Sequence, residues 1–341
     1  MQRPVMNPNY LDDAAQIAPP KRNRALGLLW RGVRLAWRFL MSRPLARRSR
    51  GMNPDDAQRP IWRLAWGLMY RVAFLPFAAA VVAALTVYAG THPTVPPIER
   101  DPITVGVYYD PVVFVTRDDH RLEGWLAPVL DARTVLEQKE KVFGSKYPAV
   151  VLVHDHGNSR EQMLPLVRPL HEAGYVVLTI GLRGDGALSD SGSTFGLNES
   201  LDVAAAVELL RRRPFVDPSR IGVIGVGTGA LAATLATTQD PNVRTLIALR
   251  PPASLDDLLY DHVVPERLPW IGSLCRWTFE IAYGVNTGDA ASDRLAATLD
   301  RPSTLVLRKV GGMDDTTLNE KIIDHLFHHL HKPQTAMVSE K

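Results

Sequence analysis

Two histidines and an aspartate stand next to one another in the middle of the chain. His154 is the last residue of an apolar run, YPAVVLVH, that is typical of a buried strand, and Asp155, His156 and Gly157 follow it. An imidazole paired with a carboxylate can activate a water molecule, so His156 is a candidate general base, with Asp155 or Asp185 as its partner. The alternative is that His154 and His156 bond only to the backbone of their loop.

A glycine-rich turn later in the chain could hold a phosphate. The run GVGTGA (Gly225–Ala230) fits the dinucleotide-binding pattern G-x-G-x-x-A between a predicted strand and a predicted helix, whose first N–H groups would face the phosphate. That pattern normally opens the first βαβ unit, whereas other strands precede it here. The next strand also ends in Arg250 rather than in an acid. Nucleotide or phosphate binding therefore stays an alternative.

The last predicted helix carries a cluster of histidines: His325, His328, His329 and His331. The first and third are four residues apart, a spacing that can bind a metal ion on one helix face. No Glu-x-x-His arrangement accompanies them, and the single cysteine, Cys275, supplies no cysteine cluster. We predict no metal site and no cofactor.

Strand-like and helix-like segments alternate after residue 110. Val112–Thr116 and Leu122–Pro128 predict an antiparallel hairpin, because a polar turn separates them. The later predicted strands are Tyr147–His154, Tyr175–Ile180, Arg220–Val226, Val243–Leu249, Thr304–Leu307 and Thr335–Ser339. The predicted helices are Arg160–Ala173, Glu199–Arg212, Gly229–Thr238 and Thr317–His331. This order predicts an α/β fold with a doubly wound, mostly parallel sheet that binds ligands at the carboxyl ends of its strands.

Four polar residues near these elements are predicted to be structural. Asp202 lies in the helix before the glycine-rich turn, and Asp217 begins a turn, Asp-Pro-Ser, that leads into a strand. Arg183, like Asp185, is expected to order the loop after the strand YVVLTI.

Several segments occur in the order found in one known superfamily. After the hairpin come VLVHDHGNSRE (Val151–Glu161), GLRGDG (Gly181–Gly186), LDVAAAVELLRRRPFVDPSRIGVIG (Leu201–Gly225) and RPPASLDDLL, which begins at Arg250. From Pro111 to Lys341 the chain thus resembles the α/β-hydrolase superfamily, and most of all its membrane-anchored bacterial serine hydrolases of esterase or peptidase type. The first segment resembles the HG-type oxyanion loop. Residues 251–300, which break the alternation, stand where the family has its helical lid.

The resemblance implies a Ser–His–Asp triad, from which this sequence departs. The nucleophile elbow, G-x-S-x-G, reads Gly225-Val226-Gly227-Thr228-Gly229, so Gly227 occupies the serine position and offers no attacking atom. The family's histidine follows the last strand, yet no histidine follows His331. The acid position falls on Asp314 or Asp315. We therefore predict that serine-hydrolase catalysis is lost.

The oxyanion loop is only partly retained. His154, His156 and Gly157 match the family, but Asp155 stands where the family usually has glycine. The charge of that aspartate would oppose a developing oxyanion. Thr228 follows the nucleophile position, and its backbone N–H would point into the oxyanion hole.

The positive charge of the chain is concentrated at one end. The chain has 341 residues, 46% of them hydrophobic, and a net charge of +3. Residues 1–71 carry 14 lysines and arginines against 4 acidic residues, whereas the remainder has a net charge of −7. The ordinary hydrophobic content excludes a wholly disordered chain, and the single cysteine excludes a disulfide scaffold. A basic segment that contains tryptophan suits nucleic acid or an anionic membrane face.

An uncharged run of 19 residues decides between these partners. Residues 72–90, VAFLPFAAAVVAALTVYAG, would span about 28 Å as a helix, close to the thickness of a bilayer core. The arginine-rich side should stay in the cytoplasm, which places the C-terminal domain outside it, in the periplasm or the exterior. Residues 25–41 alternate arginine with leucine and tryptophan as an amphipathic helix on a membrane surface would. No nucleic-acid partner is expected.

The sequence therefore predicts a single-pass membrane protein. Its parts are a basic cytoplasmic arm (1–71), a transmembrane helix (72–90), a linker (91–110) and an α/β-hydrolase-fold domain (111–341). The leading hypothesis is a pseudohydrolase that acts in binding or scaffolding, with the bilayer and an unknown small ligand or protein as partners. The alternatives are an active ester or peptide hydrolase with a non-serine mechanism, and a nucleotide- or phosphate-binding module.

Overall fold

Seven strands form one mixed sheet. They are β1 (Asp110–Val115), β2 (Arg121–Ala127), β3 (Tyr147–Val153), β4 (Val176–Ile180), β5 (Val216–Val226), β6 (Thr245–Leu249) and β7 (Thr304–Leu307). The computed structural model describes residues 34, 60–129, 146–184, 191–266, 268–287, 301, 303–308 and 315–331. Asp185, Asp314 and the predicted strand Thr335–Ser339 lie outside these residues. So does the predicted amphipathic helix 25–41, apart from Arg34, which is helical and exposed.

The strand order is β1-β2-β4-β3-β5-β6-β7. β2 pairs antiparallel with both β1 and β4, and the remaining pairs are parallel. The prediction of a doubly wound, mostly parallel sheet that opens with an antiparallel hairpin is therefore confirmed. Because β3 and β5 are neighbours and run in the same direction, the loops that follow Val153 and Val226 emerge side by side.

Seven α-helices lie within the described residues: α1 (Pro60–Thr91), α2 (Leu164–Glu172), α3 (Glu199–Arg211), α4 (Thr228–Gln239), α5 (Leu255–His262), α6 (Gly272–Tyr283) and α7 (Asp315–Leu326). Short 3-10 turns precede α2 at Arg160–Met163 and α6 at Pro269–Ile271, and another covers Pro102–Val105. A wide π turn, Phe327–His331, continues α7.

Helices cover both faces of the sheet. Leu210 of α3 and Ala233 of α4 pack with one side of the strands, where Val151 lies. Leu166 of α2 and Ile322 of α7 pack with the opposite side, where Leu152 lies. The central strands are buried on both faces, which explains why their sequences are continuous apolar runs rather than alternating ones.

The observed boundaries differ from the predicted ones by a few residues. β5 begins at Val216, so the Asp217-Pro218-Ser219 segment lies within the strand, next to a register shift opposite Tyr147–Ala149. The predicted helix Arg160–Ala173 is a 3-10 turn followed by α2, because Pro165 starts an α-helix readily at its first turn. The predicted helix Thr317–His331 is likewise divided into α7 and the π turn.

The chain divides into two compact units. Among the described residues, one unit contains Thr91–Leu258 and the residues from Asn286 onward, and thus the whole sheet. The other contains α1 up to Gly90 together with Leu259–Val285. Within the first unit, residues 91–110, predicted as a linker, make specific contacts: Ser193 N–H donates to the Thr91 carbonyl at 2.7 Å, and Arg100 forms an ion pair with Glu161 at 2.7 Å.

Candidate functional site

The turn between β5 and α4 has the strained geometry of a nucleophile elbow. Gly227 lies between Val226, the last residue of the strand, and Thr228, the first of the helix, with φ 56° and ψ −120°. Such a positive φ favours glycine over residues that carry a Cβ. Its N–H donates to the carbonyl of Leu249 at 2.9 Å, which fixes the turn against β6.

The two flanking glycines allow the helix to approach the strands closely. A Cβ on Gly225 would overlap the backbone of Gly229, and a Cβ on Gly229 would overlap the carbonyl of His154. Glycine at these positions is therefore explained by packing alone. The same packing brings the N-terminus of α4 onto the loop that follows β3.

Asp155 occupies the space in which a side chain at position 227 would lie. A Cβ built on Gly227 would overlap all three terminal atoms of the Asp155 carboxyl group. Asp155 Oδ1 accepts from the backbone N–H of Thr228 at 2.8 Å, from the Thr228 hydroxyl at 3.0 Å and from the His156 N–H at 2.8 Å. The two backbone groups are those that would form an oxyanion hole, after the nucleophile position and in the loop after β3. In this structure the carboxylate of Asp155 accepts from both groups, and the His156 N–H is shared with the Thr228 hydroxyl oxygen, also at 2.8 Å.

The two histidines of this loop have different surroundings. His154 is buried; its Nδ1 lies 2.8 Å from the carbonyl of Asp155, and its Nε2 accepts from the N–H of Leu182 at 3.3 Å. Nδ1 therefore carries the proton, and both ring nitrogens bond to the backbone, Nδ1 within this loop and Nε2 at Leu182, which follows β4. The ring of His156 packs edge-to-face against Phe195, with 4.8 Å between ring centroids. His156 is half-buried.

Arg183 links the hairpin to α3 through two carboxylates. Its guanidinium bonds to Asp118 in the β1–β2 turn at 2.5 and 3.0 Å, and to Asp202 of α3 at 2.7 and 2.9 Å. Burial acts to raise the pKa of Asp118, but the bonds from Arg183 outweigh it and lower that pKa to about 2. Burial raises the pKa of Asp202 to about 7, although Arg183 opposes that rise. The geometry gives Arg183 and Asp202 a role in ordering the loop.

Sequence reasoning missed the wall formed by residues 193–199. The buried carboxylate of Glu199 accepts from the N–H groups of Thr194 and Gly196 and from the hydroxyls of Ser193 and Thr194, at 2.6–2.9 Å. These bonds hold Phe195 against His156 with a φ of 55°. The available signal was an acidic residue at a helix start, preceded by serine, threonine and glycine.

The cavity at this edge of the sheet is small. Its volume is about 10 Å³, room for about one water molecule, and its walls include His156, Thr228, Pro93 and Val95. The proline-rich segment after α1 thus closes the space over the oxyanion loop, where Pro93 lies within 3.6 Å of a Cβ placed on Gly157.

The remaining predicted residues lie elsewhere. Asp315 is the first residue of α7, the helix that follows β7 in the chain. His325 Nε2 lies 3.0 Å from the Thr245 hydroxyl, and His331 Nδ1 lies 3.1 Å from the Tyr175 hydroxyl. Burial lowers the pKa of both histidines. Within the part of the chain that the structure describes, no group of three or more potential ligands could hold a metal ion.

Known proteins share parts of this architecture. A family model for the prolyl oligopeptidase family, peptidase S9, matches residues 164–284. Two uncharacterized proteins of Mycobacterium tuberculosis, from strains CDC 1551 / Oshkosh and ATCC 25618 / H37Rv, are each 29% identical over 206 residues. The alignment spans 60% of this chain and 60% of each relative.

An esterase of Pyrococcus furiosus, Pf2001, is similar in structure. Two of its crystal forms match with TM-scores of 0.50 and 0.52 at 21% and 20% identity, over 70% of this chain and 99% and 98% of the esterase. The chain therefore has the α/β-hydrolase fold, as the sequence motifs predicted. Residues 164–284 of this fold are the part that is similar to peptidase S9.

Proposed function

We propose that this chain is a membrane-anchored pseudohydrolase, in which the α/β-hydrolase fold serves binding or scaffolding rather than acyl transfer. The observation that carries the proposal is the position of Asp155. Its carboxylate fills the space of a nucleophile side chain at Gly227 and accepts both backbone N–H groups of the oxyanion hole.

The electrostatics of this arrangement oppose hydrolysis. An oxyanion hole works because its donors are aimed at charge that develops only in the transition state. Here a full negative charge already holds the donors of His156 and Thr228. Hydrogen bonds to a charged group contribute about 1.5–3 kcal/mol each, so a substrate carbonyl would have to displace a stronger acceptor.

The size of the cavity supports the same function. About 10 Å³ beside His156 and Thr228 is far below the several hundred Å³ of usual small-molecule sites. A nucleotide is disfavoured for an electrostatic reason as well, because the carboxylate of Asp155 lies where a phosphate would meet the N-terminus of α4.

Membrane anchoring rests on α1. Val72–Thr91 is long and apolar enough to cross a membrane, and only 17% of its most apolar window is buried within the protein. Exposed side chains of this helix include Val72, Leu75, Phe77, Val81 and Leu85. The excess of arginine before it supports a cytoplasmic N-terminus and an extracytoplasmic α/β unit.

The test of catalysis uses the full-length chain in detergent. A fluorophosphonate probe for active serines and a short-chain ester assay are applied to the wild type and to His156→Ala and Asp155→Asn. We expect no labelling and no turnover above buffer in any of the three. Turnover that survives repeated purification and is abolished by His156→Ala would instead establish a hydrolase with a non-serine mechanism.

The test of anchoring is separate. Membranes from cells that produce the full chain are washed at alkaline pH, and a topology reporter is fused after Lys341. We expect the chain to stay in the membrane fraction and the reporter to be active outside the cytoplasm. Release by the wash would refute the anchor, and a cytoplasmic reporter would refute the orientation.

A further inference from the structure

One side of α6 exposes large apolar side chains. Trp277 and Ile281, one helical turn apart, are 60% and 62% exposed, and Trp270 in the preceding 3-10 turn is 71% exposed. Exposure of two tryptophans and an isoleucine within 12 residues of the sequence is unusual for a surface that meets water alone.

The opposite side of α6 packs on α1. The Cys275 side chain is buried, and its sulfur lies 3.4 Å from the hydroxyl of Thr86. Nearby, Gly90 meets the backbone carbonyl of His262 so closely that a Cβ would lie 2.5 Å from it. α1 buries Ala83, Thr86 and Val87, a helical i, i+3, i+4 face. The insert 259–285 is thus fixed to the C-terminal part of the apolar helix.

This contact sets the depth of α6 relative to the apolar span. Thr86 lies five residues before the end of the span at Thr91, which corresponds to about 7 Å along a helix axis. Cys275 is therefore level with the last part of the span rather than beyond it. Tryptophan and other amphipathic rings favour this zone of a bilayer, where headgroups meet acyl chains.

The charged residues of α6 are compatible with a position in the interfacial zone. Arg276 and Glu280 are the charged residues of α6, and they pair with each other at 3.3 Å. α6 can thus enter the interfacial zone without bringing an unpaired charge.

We propose that α6 is a second membrane-contacting element, whose Trp270, Trp277 and Ile281 lie in the interfacial zone of the lipid bilayer beside the C-terminal end of α1. The occupant of this apolar surface is lipid, because α6 packs on the C-terminal part of a helix of spanning length and apolarity. The proposal rests on the membrane anchoring described above.

The experiment measures spin-label accessibility in the full-length chain reconstituted in phospholipid vesicles. The background is Cys275→Ser, which removes the single cysteine and places a hydroxyl instead of the thiol beside Thr86. Labels are placed one at a time through Trp277→Cys, Ile281→Cys, Phe77→Cys in α1 and Val113→Cys, an exposed residue of β1. Collision with oxygen, which partitions into lipid, is compared with collision with a water-soluble nickel complex.

We expect the labels at 277 and 281 to favour oxygen over nickel, in the same direction as the label at 77 and opposite to that at 113. Nickel-favoured labels at both 277 and 281, with an oxygen-favoured label at 77, would overturn this inference and leave the anchor in place. A nickel-favoured label at 77 would overturn the anchor itself. The second position in α6 keeps the test valid if Trp277→Cys does not fold.

Discussion

The Asp155 carboxylate accepts a hydrogen bond of 2.8 Å from the backbone N–H of Thr228, a residue 73 positions away in the sequence. The parallel pairing of β3 with β5 makes this contact, because both strands end at the same edge of the sheet. The bond joins the oxyanion loop to the helix that follows the elbow. It places a carboxylate at the point where a hydrolase of this fold needs free N–H donors for the substrate's oxyanion.

Introducing a serine at position 227 alone should destabilise the protein. In Gly227→Ser, the new Cβ overlaps the Asp155 carboxyl group, and the serine must also adopt a φ of 56°. We expect a loss of about 1–3 kcal/mol in the free energy of unfolding. The matched control is Asp155→Gly/Gly227→Ser, which removes the overlap and should recover part of the loss. Equal stability of the single and double variants in denaturant titration would contradict the proposed overlap.

Removing the carboxylate should destabilise the protein. Asp155→Ala removes the acceptor of the Thr228 N–H and hydroxyl and leaves the His156 N–H with the Thr228 hydroxyl oxygen, so we expect a cost of about 1–3 kcal/mol. Asp155→Asn retains one acceptor oxygen and should cost less. Thermal unfolding of the three proteins gives the comparison. If Asp155→Asn were less stable than Asp155→Ala, the side-chain oxygen at position 155 would not be the group that stabilises this loop.

Arg183 should be among the residues whose loss the fold tolerates least. Arg183→Met leaves the buried Asp202 without its charged partner, and breaking a buried pair in this way costs about 3–5 kcal/mol. Arg183→Met/Asp202→Leu removes both charges and should be more stable than the single variant. Unfolding by urea measures the difference. A single variant within about 0.5 kcal/mol of the wild type would show that the pair is unimportant.

Acid should weaken the link between the hairpin and Arg183. The pKa of Asp118 is lowered from 3.8 to about 2 in the folded protein. The folded state therefore binds this proton less readily than the unfolded state, and the stabilisation present above about pH 4 is lost as pH falls towards 2. Because Asp118 is partly exposed, we expect no more than about 1 kcal/mol.

Asp118→Asn provides the measurement for this effect. The variant lacks the titrating group, so the stability difference between wild type and variant should shrink as pH falls from 4 to 2. Stability is followed by thermal unfolding at each pH. A difference that stays constant, or that grows on acidification, would contradict the lowered pKa.

Most of the sheet could be predicted from the sequence. Buried strands such as β3 and β4 are continuous apolar runs, and the glycine-rich turn marks the junction of β5 and α4, because both patterns depend on local chemistry. The boundaries were less accurate where a residue supports two conformations, as at Pro165 and at the turn Phe327–His331.

The relation between Asp155 and Gly227 could not be predicted. The sequence shows Asp155 and Gly227 as two separate departures from the α/β-hydrolase pattern. Their overlap, however, depends on strand order and on the close approach that Gly225 and Gly229 permit. The role of Glu199 was also missed, since its four bonds depend on the fold of the loop before it. Contacts between distant segments have no periodic signal.

The overlap at the elbow restricts which residues homologous chains can carry at positions 155 and 227. A side chain at position 227 and an aspartate at position 155 compete for one volume, so the two sites cannot mutate freely of each other. A homologue that acquires a serine at the elbow must lose the aspartate at position 155 beforehand or at the same time. Homologous chains should therefore show the two positions changing as a pair: aspartate with glycine, or glycine with a side chain.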